Sequence, residues 1–533
     1  MAPFTKARSA GGAAQLEARS PIRPAWPQQF LLFALLFAGL MLLHAPLLRL
    51  PYFWDEAGYY IPVARDLLLT GSPIPRSTIS NAHPPLVMAW LALAWRCFGY
   101  STLVTRTAML AIAAFSLLGL FRLARTVANL QVAWAVTVLT AIYPVFFAQS
   151  SLAHVDLAAA GFTYWALLAW LEDSPGMMVL WFLLGALAKE TAIVVPLTLF
   201  AWQLLVRFFP PAWKELIPPV NRRTRPLYLL IPLVPLVCWF AYHRLKTGFF
   251  LGNPDFLRYN LGATLNPLRI PLAFVMRLWQ TVGYFGLYLL SLTALASMFR
   301  ASRSEQGATR DGIPLWQRAA GAVVILAYLL FMSIAGGAVL ARYLLPIVPL
   351  VILASVETLS RRVRSWKILV GAAAAMFAIG LFTNPPYGFS LEDNLAYRDF
   401  VVMHAEASRA LAMVYPNSKV LTAWPASDEL SRPWLGYVAR PFAVVRIEDF
   451  SSAQIETAAA ARDQYDVVFA FSTKYVPEHE LLANWTAWRL LKERFFGYHQ
   501  DLPPEEIARR LGGNVAFQKK ENGLWVAVIA LDK

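Results

Sequence analysis

Charged residues make up only 15% of this 533-residue chain, against 58% hydrophobic ones, and that shortage excludes an ordinary soluble enzyme. Cysteine is almost missing. Cys97 and Cys238 lie in apolar surroundings without metal-type spacing, so a disulfide framework is excluded and two buried, inert thiols are expected. No Gly-rich nucleotide loop, Walker pattern, Cys/His metal cluster or nucleophile elbow occurs. A chain without a nucleotide site has to receive any activated substrate from elsewhere. Acidic residues are also scarce, leaving a net charge of +15. The basic residues fall in short clusters between apolar runs, which fits cytoplasmic retention and contact with anionic membrane lipids; no nucleic-acid partner is expected.

What the chain does have is a series of apolar runs, each long enough to cross a bilayer as a helix. Eleven spans are expected, at 30–50, 103–121, 131–150, 157–171, 176–188, 191–208, 226–245, 272–298, 319–336, 343–358 and 368–383. Residues 1–29 read as a disordered, basic cytoplasmic N-terminus, and Lys6, Arg8, Arg19 and Arg23 orient the first span. The later basic clusters, beginning with Arg122 and Arg125, share that side only if 84–98 lies in the interface instead of crossing. Arg258 and Arg269 oppose this orientation, with Asp255 beside them. The expected organisation is a transmembrane catalytic domain at 30–383, with its first outer loop at 51–102. A soluble α/β domain at 384–533 follows on the extracytoplasmic side of a bacterial inner membrane. In that tail, 419–424, 442–447, 466–471 and 524–531 read as strands, and 407–415 and 452–462 as helices, which predicts a largely parallel sheet.

Ionisable groups at a membrane edge are functional candidates. Asp55 and Glu56, in Trp54-Asp55-Glu56, offer a carboxylate for general-base work, or an acidic first turn for the helix that follows. In an extended loop the two point to opposite sides. His83 is held extended by Pro84 and Pro85, or simply marks a helix start. His154 and Asp156 sit in a short link and can bind a hydroxylated ligand or cap the next span. Lys189-Glu190-Thr191 interrupts an apolar stretch, placing a point charge suited to phosphate or a snorkelling charge pair at a tight turn. Arg342-Tyr343, after the Gly336-Gly337 turn, suits bidentate phosphate capture or interface anchoring. Carboxylates and histidines on one side are compatible with a divalent cation, but no spacing requires a metal, and no cofactor is needed.

Taken together, Trp54-Asp55-Glu56, His83-Pro84-Pro85, Asp156, Lys189 and Gly337 followed by Arg342-Tyr343-Leu344-Leu345-Pro346 resemble the GT-C glycosyltransferases. The likeness covers about residues 30–383, and within that family it points to the aminoarabinose-transferase and protein O-mannosyltransferase branch. The resemblance implies a polytopic helical fold and transfer of a sugar, hexose or pentose, from a polyprenyl-phosphate donor with inversion. Asp55 would be the base and Glu56 its neighbour in the site. Lys189 and Arg342 would hold the donor phosphate, and Asp156 would be the second acidic residue of the cavity. From the residues themselves, His83, His154, Asp156, Glu190 and Tyr343 are expected to bind substrate. The segment at His83-Pro84-Pro85 departs from the Glu-Lys-Pro type of the aminoarabinose branch, so lipid A is not implied as acceptor. The tail does not resemble a β-trefoil insert. The acceptor, whether lipid, glycan or protein, stays open. A transporter or lipid-linked-sugar flippase is the alternative, disfavoured by the lack of internal repeats. A nonenzymatic assembly or sensor protein that works through its tail would be indifferent to Asp55→Asn.

Overall fold

A computed structural model of the protein describes residues 26–219, 222–252, 254, 265–302, 304–305, 308–309, 313–477 and 485–532. Most of the segment expected to be disordered, 1–25, lies outside them, as do Asp255 and Arg258; residues 26–29 are already helical.

Among the described residues, five helices are long and apolar enough to cross a membrane: Trp26–Leu43, Thr102–Val127, Glu190–Phe208, Pro226–Thr247 and Leu315–Ala335. Two more of the expected spans are broken. Leu130–Ile142 meets Pro144–Ser151 at 67°, and Arg269–Gly286 meets Tyr288–Ser297 at 99°. The first break falls at Pro144, which has no N–H to continue the ladder. The second falls where Phe285 and Gly286 turn left-handed, at φ 49 and φ 88. Asp156–Leu171, Pro175–Ala188 and Trp366–Phe382 are apolar but shorter. The expected span at 343–358 is helical only from Val348, and that helix carries Glu357, Arg361 and Arg362. The eleven expected spans thus resolve into five long helices, two bent pairs and four shorter helices. Leu86–Phe98 has 13 residues, about 20 Å of helix, too short for a hydrocarbon core of about 30 Å. Cys97 and Cys238 are exposed, not buried, because both lie on outward faces of apolar helices.

Local sequence explains several boundaries. Ser101 accepts a hydrogen bond from Val104 N at 3.2 Å, and Asn129 does so from Val132 N at 3.0 Å, capping the two helices that follow. Small residues let helices touch. A Cβ on Gly161 would lie 2.0 Å from Ser116 Oγ, so Thr102–Val127 and Asp156–Leu171 approach closely. Gly161→Ala should cost about 1–3 kcal/mol through overpacking, read as a lowered melting temperature of the purified protein; an unchanged melt would refute this contact.

The C-terminal region forms a five-stranded sheet from Lys419–Ala423 (β1), Ala443–Ile447 (β2), Val467–Phe471 (β3), Gly513–Glu521 (β4) and Leu524–Leu531 (β5). Its order is β2-β1-β3-β5-β4. β1 runs parallel to β2 and β3, while β5 is antiparallel to β3 and β4. The sheet is therefore mixed, not largely parallel. Asn522 and Gly523, at φ 49 and φ 78, supply the tight turn that folds β4 back onto β5. The expected helices are Ala396–Val414 and Ser452–Ala460. One apolar core joins Tyr52, Phe53 and Ile61 of the first loop to Ala158 of the helical part and to Phe400, Val420, Phe469 and Val528. The sheet does not stand apart from the helices. That shared core fixes the first loop against both.

Candidate functional site

Trp54 adopts φ 38, a conformation that bulky residues avoid unless the surroundings impose it. The chain then winds through a wide turn, Glu56–Tyr60, into the helix Ile61–Thr70. The two carboxylates diverge. Glu56 has no exposed surface. It accepts from Phe53 N at 2.8 Å, Ala153 N at 2.6 Å and Arg106 Nη2 at 2.9 Å, and also pairs with Arg106 Nη1. Arg106 in turn donates to Ser151 O at 2.9 Å and Pro51 O at 3.1 Å. Glu56 was expected as a neighbour of Asp55 in the site; the structure places it away from the wall of the cavity described below, where it ties the loop to two helices. Arg106 was overlooked, although a lone arginine within an apolar run is the same signal that marked Lys189.

Asp55 points the other way. Its Oδ2 accepts from Arg342 Nη2 at 2.5 Å. Arg342 is 1% exposed, and its Nη1 donates to Glu392 Oε2 at 2.7 Å, while its Nε lies 3.4 Å from Asp156 Oδ2. Lys189 Nζ donates to Asp156 Oδ1 at 2.5 Å and stands 3.9 Å over the Tyr343 ring. Asp156 therefore bridges both cations. Burial alone would depress the Lys189 ammonium, yet Asp156 holds it above the usual lysine value. Burial and the Arg342 charge push His154 well below the ordinary imidazole value, so it is neutral, donating from Nδ1 to Gln149 Oε1 at 2.7 Å.

These groups border a cavity of about 1210 Å³. Asp55, His83, Lys189, Glu190, Arg342 and Tyr343 are in its wall. His83 Nδ1 meets Glu190 Oε2 at 2.8 Å. His154 and Asp156 are not in the wall. Both were expected to contact substrate; the structure places them buried behind Arg342 and Lys189, in contact with those two cations. The opposite wall comes from the C-terminal region, with Trp424, Lys474 and Trp488 among its members. The cavity exceeds the usual 300–1,000 Å³ of a small-molecule pocket, leaving room for two reactants.

Glu392 and Asp393 were not anticipated, because they follow the last apolar run and nothing local distinguishes them. Burial pushes Glu392 up to about 8, with Arg342 working against it. Burial likewise pushes Asp393 up to about 7, opposed by the Tyr284 hydroxyl, which donates to Oδ2 at 2.7 Å. The Asp393 carboxyl of the unfolded chain ionises near ~3.9. Its contribution to stability is therefore complete below that pH and is lost as pH rises to about 7. Asp393→Asn should flatten the fall in melting temperature across this window and exceed the parent protein at pH 8. Parallel pH profiles would contradict the assignment.

Asp55, His154 and Glu392 each offer a ligand atom within 4.8 Å of the others. This oxygen-and-imidazole set suits a divalent ion. Arg342, however, already donates to the Asp55 and Glu392 oxygens, so a metal would have to displace a guanidinium.

No family model matches the chain, and no curated protein matches it in sequence. Solved structures do match in fold. The crystal structure of ArnT from Cupriavidus metallidurans bound to undecaprenyl phosphate aligns with a TM-score of 0.51 at 15% identity, covering 95% of this chain and 98% of that one. ArnT in the apo state gives a TM-score of 0.53 at 15% identity, covering 94% and 98%. ArnT is an aminoarabinose transferase of the GT-C superfamily. The chain has the GT-C fold. The likeness spans nearly the whole chain, and the ion-pair cluster and the cavity lie between the helices and the C-terminal sheet.

Proposed function

We propose that this protein is an integral membrane glycosyltransferase that moves a sugar, hexose or pentose, from a polyprenyl-phosphate donor to an acceptor on the outer face of a bacterial inner membrane. The observation that carries this reading is Asp55. It is a carboxylate in the wall of a large cavity, oriented by a buried arginine and adjoining a lysine. The roles of residues 30–383 as catalytic domain and of 384–533 as extracytoplasmic domain belong to the same proposal.

The chemistry follows from placement. Asp55 accepts the proton of an acceptor hydroxyl as that oxygen attacks the anomeric carbon, and polyprenyl phosphate leaves from the opposite face, inverting the centre. Arg342 and Lys189 favour negative charge on the leaving phosphate. The phosphate is a good leaving group, so no second acid is required. Where the polyprenyl tail would run is supported by the wall itself: Leu251, Val275, Trp279 and Phe331 line the cavity and are exposed apolar residues. The cavity thus continues into an apolar face that lipid can cover. The roof residues Trp424 and Trp488 are suited to stacking on an acceptor sugar.

The test is reconstitution in liposomes with either nucleotide sugars or polyprenyl-phosphate sugars. Consumption of the lipid-linked sugar, with release of polyprenyl phosphate, is expected. Consumption of a nucleotide sugar alone, or movement of intact lipid-linked sugar across the bilayer without transfer, would overturn the reading. The latter result is what a flippase would give.

A further inference from the structure

Four consecutive carbonyls in the segment leading to Arg342 are tied to one helix, Arg269–Val282. Arg277 Nη2 donates to Gly336 O at 2.6 Å and Ala338 O at 3.1 Å, Gln280 Nε2 donates to Val339 O at 2.9 Å, and Arg269 Nη2 donates to Gly337 O. In a trans peptide the C=O and the following N–H point in opposite directions. The N–H groups of Gly337, Ala338, Val339 and Leu340 are therefore turned away from that helix. None of the four has a hydrogen-bond partner among the described residues. All of 336–340 border the cavity. Gly336 at φ −91 followed by Gly337 at φ 28 is the alternation of hand that gathers successive N–H groups into an anion-holding concavity.

A second, independent observation concerns charge. Arg277 is 1% exposed, and its Nε and Nη1 have no hydrogen-bond partner among the described residues. No carboxylate pairs with Arg277 or Arg269 among those residues. Lys189 and Arg342, by contrast, already face Asp156, Asp55 and Glu392. Positive charge that no carboxylate pairs therefore sits directly behind the 336–340 backbone. A buried charge without a partner is costly, and an anion seated on the loop would offset it.

We propose that the backbone N–H groups of 337–340 form the phosphate subsite of the cavity. In this arrangement Arg277 holds the loop from behind and supplies its charge, while Arg342 and Lys189 reach the same phosphate from the flank. The proposal rests on the polyprenyl-phosphate reading above. The shared chemistry is a phosphate group, from a lipid headgroup or free in solution.

The test uses the full-length protein in nanodiscs, with farnesyl phosphate and farnesol as probes and inorganic phosphate as competitor. Four variants suffice: an amide-to-ester replacement that deletes the Ala338 N–H, the same at Val339, Arg277→Met, and Lys189→Met for the flanking cation. Each should weaken farnesyl phosphate binding by about tenfold or more, as expected for one bond to a charged group. Farnesol binding should be unchanged, which also reports that the cavity is folded. Retained affinity in the ester variants, with loss only in Lys189→Met, would overturn the subsite while leaving the donor reading intact. Equal binding of farnesyl phosphate and farnesol by the parent protein would overturn both. Strong competition by inorganic phosphate that disappears in the ester variants would support the subsite and assign it to free phosphate.

Discussion

Asp55→Asn should lower the rate of sugar transfer by about 10²–10⁴-fold, the usual contribution of a positioned general base. The protein should otherwise stay folded. Asp55 is one of three carboxylates around Arg342, so an amide at this position leaves the guanidinium paired with Asp156 and Glu392. The substitution is nearly isosteric, and the side chain borders the cavity instead of the core. Binding of a prenyl phosphate should be kept or tightened, because one negative charge near the site is removed. The measurement is an initial rate of polyprenyl phosphate release, paired with a melting curve. Full activity in Asp55→Asn would remove the base from the mechanism. Loss of activity together with loss of fold would show that the carboxylate is structural.

Glu56→Gln, one residue away, should do the reverse: a cost in stability of about 3–5 kcal/mol, because Arg106 is left buried and charged without its partner. Both side chains are 1% exposed or less, so neither can relax into solvent. The pair joins the first loop to the helices at 102–127 and 144–151, and its failure would release Asp55 as well. A double variant, Glu56→Met with Arg106→Leu, should recover a large part of the lost stability, since it removes both charges at once. Thermal or denaturant unfolding of the parent, Glu56→Met, Arg106→Leu and the double variant reads the coupling. Additive losses in the double variant would mean that the two side chains do not act as a pair.

How much of this was legible in the sequence depends on contrast. Lys189 and Arg342 stand out because a charge inside an apolar stretch needs a partner or a polar cavity, and both lie at the cavity. Arg106 and Arg277 carried the same signal, yet the runs around them read as plain spans. Glu392 and Asp393 had no contrast at all, since they sit where polar residues become ordinary. The divergence of Asp55 and Glu56 was legible from their adjacency, but which of them would be buried depends on Arg106, 50 residues later. The bends at Pro144 and at Phe285-Gly286 were missed because hydropathy averages over them. In the tail, the strands β1, β2, β3 and β5 were readable from composition. β4 alternates exposed with half-buried residues and escaped, although Asn522-Gly523 was a hairpin signal beside it.

The most direct measurement is mass spectrometry of envelope glycans, glycolipids and lipid-linked sugars from cells lacking the gene, complemented with the parent protein or with Asp55→Asn. A sugar-sized mass increment on one envelope component, present only with the parent protein, is expected, together with accumulation of a polyprenyl-phosphate sugar in the other two strains. Identical envelopes in all three strains, or full restoration by Asp55→Asn, would contradict sugar transfer from a lipid phosphate at this cavity.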